Sequence, residues 1–441
     1  MSVVPNNILV QVQTYQDAEL AFLDNSFAAI HLSNKKFENF NSMTANLGDT
    51  VTFPLAPRFT TTNGLVANYQ PSVQRQTSLV CSQATNSSTA YTSQQMIFNL
   101  DADDYMRQFG ESRVREIGTV VEADILRNAV SGVRINDPAN ANFGALQTES
   151  GPYRFFGDGV TQINSYGQLA QMIANFEDYG AAKGLKCILP SVNIPSVINS
   201  GLNQFTLNRN NEIANSWELG NWDGCEFYKS NLLPTHTAGT IGDAAAAANR
   251  VMTLVSTNDP TGLNVTQLTF TEPTSGTVTG AIKAGDLFEF NDGVSGETNI
   301  RYLTFIGHQM SQQKVQCRAT ADANTVAGSV TISITPALCW DATSQNFNLS
   351  TALSAGMQVT VAPSHRAGLL YSGNALYLAM PRLDNQEPFP SSIRTDEMSG
   401  TSIRHTWGAQ LGQNNKSYIC DCVWGSTLVA ENSMRILFPL Y

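Results

Sequence analysis

Residues 101–130 read DADDYMRQFGESRVREIGTVVEADILRNAV, and the fold class follows from how this stretch is read. Asp101 stands where an N-cap is expected, and Asp103 and Asp104 fall in the first turn, where carboxylates complement the positive end of the helix dipole. Val114, Ile117, Val121 and Ile125 recur at three- and four-residue steps and line up as one apolar stripe. The spacing predicts a helix of roughly thirty residues, ~45 Å long at the usual rise per residue. Gly110 and Gly118 weaken it without stopping it. The other face carries charge, including Arg113 and Glu116, and is expected to point outward.

Upstream of this helix, residues 1–48 hold one helical stretch, TYQDAELAFLDNSF, in otherwise polar sequence and read as an extended arm. Residues 49–100 contain β-type runs, VTFPL, TSLVCSQ and YTSQQMIFNL, around a turn-rich middle, TTTNGLVANYQPS. The pattern alone fits equally a long two-stranded loop with little core of its own or a hairpin of an ordinary sheet. Downstream, a Gly-, Asn- and Pro-rich loop at 132–165 leads to a second helix, INSYGQLAQMIANFEDYGAAKG, with Leu169, Ile173 and Phe176 on one face and a glycine stop at Gly184. The strand LKCILPS, the helix IPSVINSGLNQF and the strand GCEFYKSNLLP follow, an α+β order.

From about 236 to 350 the texture changes. Helical periodicity disappears, and short strands recur: VMTLVS, VTQLTF, LFEFND, IRYLTFIGHQ, KVQCRA and VTISIT. Such a series predicts a small all-β barrel or sandwich inserted into the preceding domain. From 351 onward QVTVAP, NALYLAMPRL, SIRHTWGAQL, YICDCVWGSTLV and RILFPL read as strands completing the sheet begun before the insertion.

Composition narrows the function classes. A chain of 441 residues exceeds what one core usually accommodates. Apolar residues reach 42% but charged residues only 14%, so the surface is rich in neutral hydrogen-bonding groups that can be buried in pairs against other protein surfaces. A net charge of −11 argues against a nucleic-acid reader. Arg107, Arg113, Arg115 and Arg127 could still face packaged nucleic acid or a neighbour's carboxylates, although ordinary solvated or ion-paired helix charges explain them more simply.

The seven cysteines, an odd number without framework spacing, read as reduced. The start, MSVVPNNILVQ, lacks a basic region followed by an apolar run, and no stretch is long enough to span a bilayer, so synthesis in a cytoplasm and no membrane partner are expected. No HExxH, GxxxxGK[ST], GxSxG or strand-borne GxGxxG occurs, and His31, His236, His308, His365 and His405 stand far apart. Cys420 and Cys422 share one face of a strand, where packing explains them better than a metal. No catalytic, cofactor-binding or metal residues are assigned, and a non-enzyme is expected.

The order of arm, two-stranded loop, long helix, α+β domain, β insertion and returning sheet resembles the major capsid proteins of tailed bacteriophages, whose shared architecture is called the Johnson fold. AIKAGDLFEFNDGV at 281–294, VTISITPAL at 330–338, KSNLLPTHTAGT at 229–240, AGLLYSGNALYLAMPRL at 367–383 and the terminal YICDCVWGSTLVAENSMRILFP are most similar to coat proteins of short-tailed enterobacterial phages that carry an inserted β-barrel domain.

The resemblance implies an α+β fold with an N-terminal arm at 1–48, an extended loop at 49–100 and a spine helix with peripheral domain at 101–165. It further implies an axial domain at 166–235, the inserted domain at 236–350, and the return through axial to peripheral domain at 351–441. The implied function is self-assembly into the icosahedral head shell of the virion, as pentamers and hexamers built in the host bacterial cytoplasm. A separate scaffolding protein, a portal and non-specific contact with packaged DNA are the implied partners, and Arg113 and Glu116 are candidate assembly contacts. A phage tail or fibre component, or another β-rich binding protein, is the alternative; it leaves the 101–130 helix unexplained.

Overall fold

The computed structural model describes residues 27–34, 50–55, 59, 65, 69, 75–92, 111–131, 151–180, 184–199, 218–222, 224–244, 247–271, 279–291, 300–304, 307–384, 391–395, 401–409 and 415–440. Residues 101–110, where the sequence predicts the start of the long helix with Asp101 as its cap, and most of 1–48, where it predicts an arm, lie outside these residues.

The long helix, Glu111–Ser131, is sandwiched between two sheets. Val114, Ile117, Val121 and Ile125 are all buried, as their spacing requires. Around this stripe lie Arg113, Glu122, Asp124 and Asn128, also buried, because partners cover the helix from more than one side. One of them is a short helix, Ala28–Leu32, whose Ala28, Ala29, Ile30 and Leu32 join the same core. Gly118 makes the approach possible: a Cβ there would fall 2.2 Å from Cε2 of Phe27.

The first sheet runs Phe155–Phe156, Ser433–Phe438, His365–Ser372, Leu185–Pro190, Cys225–Ser230 and Glu218–Trp222, with Thr235–His236 paired to the start of His365–Ser372. Alternation along its strands assigns its two faces. Cys187, Leu189, Leu370, Met434 and Ile436 meet the helix Tyr166–Asp178, while Ile188, Leu369 and Tyr371 meet the long helix. Leu169, Ile173 and Phe176 are fully buried on that second helix, as the pattern predicts. Ser165 and Gln168 close its start as a capping box. It ends at Asp178, followed by Gly180 at φ 99°, so the stop comes at Gly180 and not at Gly184.

The second sheet runs Leu376–Ala379, Asn415–Leu428, Ser402–Ala409 and Ser391–Thr395, with Gln83–Thr92 also paired along Asn415–Leu428. Cys420, Cys422 and Trp424 alternate onto the face under the long helix, where the Trp424 indole donates to Asp124 Oδ2 at 2.9 Å and Asn128 Nδ2 donates to the Ser426 carbonyl at 2.7 Å. All seven cysteines are buried free thiols. Thr50–Leu55 and Arg75–Val80 form an antiparallel hairpin. Of 49–100, the described residues show this two-stranded pairing and the strand Gln83–Thr92, which joins the second sheet.

Between Cys225–Ser230 and His365–Ser372, two strands of the first sheet, the chain builds a closed six-stranded barrel. Its strands run in the order Val265–Thr271, Val330–Leu338, Gln316–Ala319, Leu287–Phe290, Gln358–Val361 and Val251–Thr257. Phe270 and Phe288 meet edge to face at 5.9 Å in its core. Gln358–Val361, assigned by sequence to the returning sheet, instead closes the barrel between Leu287–Phe290 and Val251–Thr257. A four-residue alternating strand carries no mark of which sheet it joins. The whole is α+β with an inserted all-β unit.

Candidate assembly surfaces and the buried junction

Arg113 and Glu116, one turn apart on the long helix, have different environments. Glu116 is exposed, but Arg113 is buried, and its Nη2 donates to Thr89 Oγ1 at 2.6 Å. The expectation that Arg113 lies on an outward charged face is corrected: it ties the helix to the strand Gln83–Thr92 of its own chain. Arg113 lies one turn before Ile117, on the edge of the apolar stripe, and covering the helix with a second sheet widens the buried arc enough to include it. Arg115 and Arg127 are exposed, and Arg107 lies outside the described residues.

Nearly two turns beyond Glu116, Glu122 clasps the N-terminal segment. The backbone N–H of Ala29 lies 3.0 Å from both carboxyl oxygens, and that of Ile30 donates to Oε2 at 3.1 Å. Burial raises its pKa from 4.5 to about 7, against the opposing pull of these two donors. The Lys186 ammonium reaches the Leu32 carbonyl, and Asn34 exchanges backbone bonds with Leu376 and Leu378. A cleft of about 520 Å³ opens beside the clasp, lined among others by Arg115, Ser191 and Lys229.

A surface of another kind lies between the two hairpin strands. Phe59, Leu65 and Tyr69 are exposed by 55%, 107% and 93%. Among the described residues none covers them, whereas scattered exposed apolar residues elsewhere lie within packed units.

Where the barrel meets the first sheet, the fold gathers side chains that are remote in sequence. His236 Nε2 lies 2.7 Å from Asp286 Oδ1, and Asp286 Oδ2 accepts the N–H groups of Gly239 and Lys283. Gly239 is required, since a Cβ would sit 2.1 Å from the Ala281 carbonyl oxygen. The His236 and His365 rings stand 5.3 Å apart. Arg435, wholly buried on the strand Ser433–Phe438, donates to the Gly285 carbonyl and to the Val130 carbonyl in the last turn of the long helix. Its Nη1 lies 3.5 Å from His365 Nε2. Burial pulls the Arg435 pKa down to about 9, with Arg318 adding to the effect and Asp286 opposing it.

A second seam joins barrel and sheet, reaching Arg435 through the pairing of its strand with Phe155. Tyr153 and Tyr179 share a hydroxyl–hydroxyl hydrogen bond and flank Tyr302, Gln316 Oε1 accepts from Phe155 N, and Asp178 accepts from Gln312 N.

The remaining histidines play other parts. His308 bonds the Phe347 carbonyl, His405 lies 3.6 Å from Cys420 Sγ, and His31 sits in the last turn of the Ala28–Leu32 helix. Among the described residues no group of three or more His, Cys, Asp or Glu side chains could hold a metal, and no helix is long and apolar enough to cross a membrane.

No family model and no curated protein matches this sequence. Among solved structures, the chain is similar to the capsid of the cyanophage P-SCSP1u at 10% identity over 92% of this chain and 89% of that one, with a TM-score of 0.39. It is likewise similar to the capsid of cyanophage Pam1 at 12% identity over 91% and 87%, TM-score 0.39, and to that of Ralstonia phage GP4 at 10% over 94% and 90%, TM-score 0.39.

Proposed function

We propose that this chain is a major capsid protein with the Johnson fold, which self-assembles as pentamers and hexamers into the icosahedral shell of a tailed-phage virion. The observation that carries the reading is the hairpin Thr50–Leu55/Arg75–Val80, whose connecting segment presents Phe59, Leu65 and Tyr69 to solvent. Large side chains exposed to this degree suit burial by a neighbouring copy, at ~1.5–3 kcal/mol each. The long helix bridging two sheets supplies the rigid member from which such a hairpin can reach, and the low charge content suits a surface covered by other copies.

In this reading residues 1–48 form the arm, 49–100 the extended loop, 101–165 the spine helix and peripheral domain, and 166–235 with 351–441 the axial domain and its return. An inserted barrel is also what the sequence resemblance to the short-tailed enterobacterial phage coats leads one to expect, and it supports that finer reading. Assembly uses a separate scaffolding protein and a portal in the host cytoplasm, DNA is touched non-specifically, and no catalytic role is assigned. Rate-zonal sedimentation of the chain co-expressed with its scaffolding protein tests this: the protein should run as particles of hundreds of copies, and a species that stays at subunit size counts against the proposal.

A further inference from the structure

We propose that the barrel is fastened to the first sheet by an acid-operated latch, in which proton uptake by His365 breaks the contact with Arg435 and opens part of the junction. The latch goes beyond the shell reading and does not depend on it. Hydrogen-bond chemistry fixes the state of the ring without reference to any titration value. His365 Nδ1 lies 2.7 Å from the Pro363 carbonyl, which only accepts, so Nδ1 carries a proton. Its Nε2 faces Arg435 Nη1 at 3.5 Å, and a guanidinium only donates, so Nε2 carries none. The closed junction therefore holds His365 neutral, with Nε2 as an acceptor.

A proton added at Nε2 removes that acceptor and sets an imidazolium against a buried guanidinium that cannot move aside. Arg435 is held by the carbonyls of Gly285 and Val130, one on the barrel connection and one on the long helix. The charged and titratable groups facing the site are His236 from the strand paired with His365, Asp286 and Lys283 from the barrel connection, Arg318 from the barrel and Arg435 from the sheet. Asp286 is the carboxylate bonded into the cluster, and His236 and two backbone N–H groups occupy its oxygens. In keeping with this, His365 titrates well below the usual histidine range, through burial first and then through Arg435 and His236, and His236 is also lowered, chiefly by burial.

The opening is partial. The seam through Tyr153, Tyr179, Gln316 and Asp178 contains no imidazole, and it keeps the barrel attached while the connections at 234–243 and 363–366 come free. A histidine whose pKa is depressed in the closed form stabilises closure fully above ~6.5, and this is lost as pH falls towards the closed-form pKa. The equilibrium for opening therefore rises by ~tenfold per pH unit across that window.

The test is hydrogen–deuterium exchange of the full chain from pH 7.5 to 5, corrected for intrinsic exchange rates. Peptides covering 234–243, 281–286 and 363–372 should lose protection by about tenfold per pH unit below ~6.5, while the barrel strand Val330–Leu338 keeps its own. His365→Gln, which takes up no proton, should flatten that dependence. A flat wild-type profile, or equal acid sensitivity in wild type and His365→Gln, overturns the latch. Should the variant fail to fold, histidine-selective 15N spectra of the wild type decide. A neutral Nδ1–H tautomer at pH 7 is expected for His365, and an Nε2–H or charged ring refutes the proposal.

Discussion

Replacing Glu122 by Gln isolates the energetics of the N-terminal clasp. In the folded chain the carboxyl is almost wholly buried and its pKa stands at about 7 in place of 4.5, with burial outweighing the donors from Ala29 and Ile30. The folded protein thus holds this proton more tightly than the unfolded chain between those two values, so the stability contributed by Glu122 falls as pH rises through the window and is level outside it. At ~1.4 kcal/mol per pH unit of displacement, the full swing is roughly 3 kcal/mol. Gln keeps the shape and one acceptor oxygen for the Ala29 or Ile30 N–H but cannot ionise. Glu122→Gln should therefore gain roughly 3 kcal/mol relative to wild type between pH 4.5 and pH 8. Urea unfolding followed by tryptophan fluorescence reads this directly, because Trp424 is buried beside the same helix and bonded to Asp124. Parallel pH profiles for the two proteins would refute the argument that burial governs this carboxyl.

Arg113→Ala should lower subunit stability by ~1–2 kcal/mol, since it removes a buried donor and leaves Thr89 without that bond, whereas Glu116→Ala should change it by under ~0.5 kcal/mol while altering shell formation; thermal melts of the unassembled subunit and sedimentation of assembled material distinguish the two. A fragment spanning 236–350 should lack a cooperative transition in calorimetry because it omits Gln358–Val361, while one extended to 363 should melt cooperatively. Equal behaviour of the two fragments would mean that the closing strand is dispensable.

What the sequence revealed was periodic, and what it concealed was long-range. Val114, Ile117, Val121 and Ile125 announce a buried stripe because local spacing alone places them on one face, and the alternation of VTQLTF and VTISIT marks barrel strands for the same reason. Glu122 gave no such signal. Its donors come from residues 93 and 92 positions upstream, and only the packing of the short helix against Gly118 brings them to it. The pattern of its own helix puts Arg113 on the exposed side, because nothing local signals the second sheet that buries it. The His236–Asp286–His365–Arg435 cluster was equally hidden, being assembled from a strand pairing, a barrel connection and the final strand. Cys420 and Cys422, in contrast, could be read correctly as packing residues, since two residues alternating on a strand fall on one face whatever lies above it.

The shell reading itself is tested most directly by electron micrographs of the purified chain, expressed alone and together with the scaffolding protein that the proposal calls for. Closed icosahedral particles or tubes of regular subunit packing are the predicted result. A field of dispersed subunits under both conditions, with Phe59, Leu65 and Tyr69 still open to solvent-borne labelling, would contradict it.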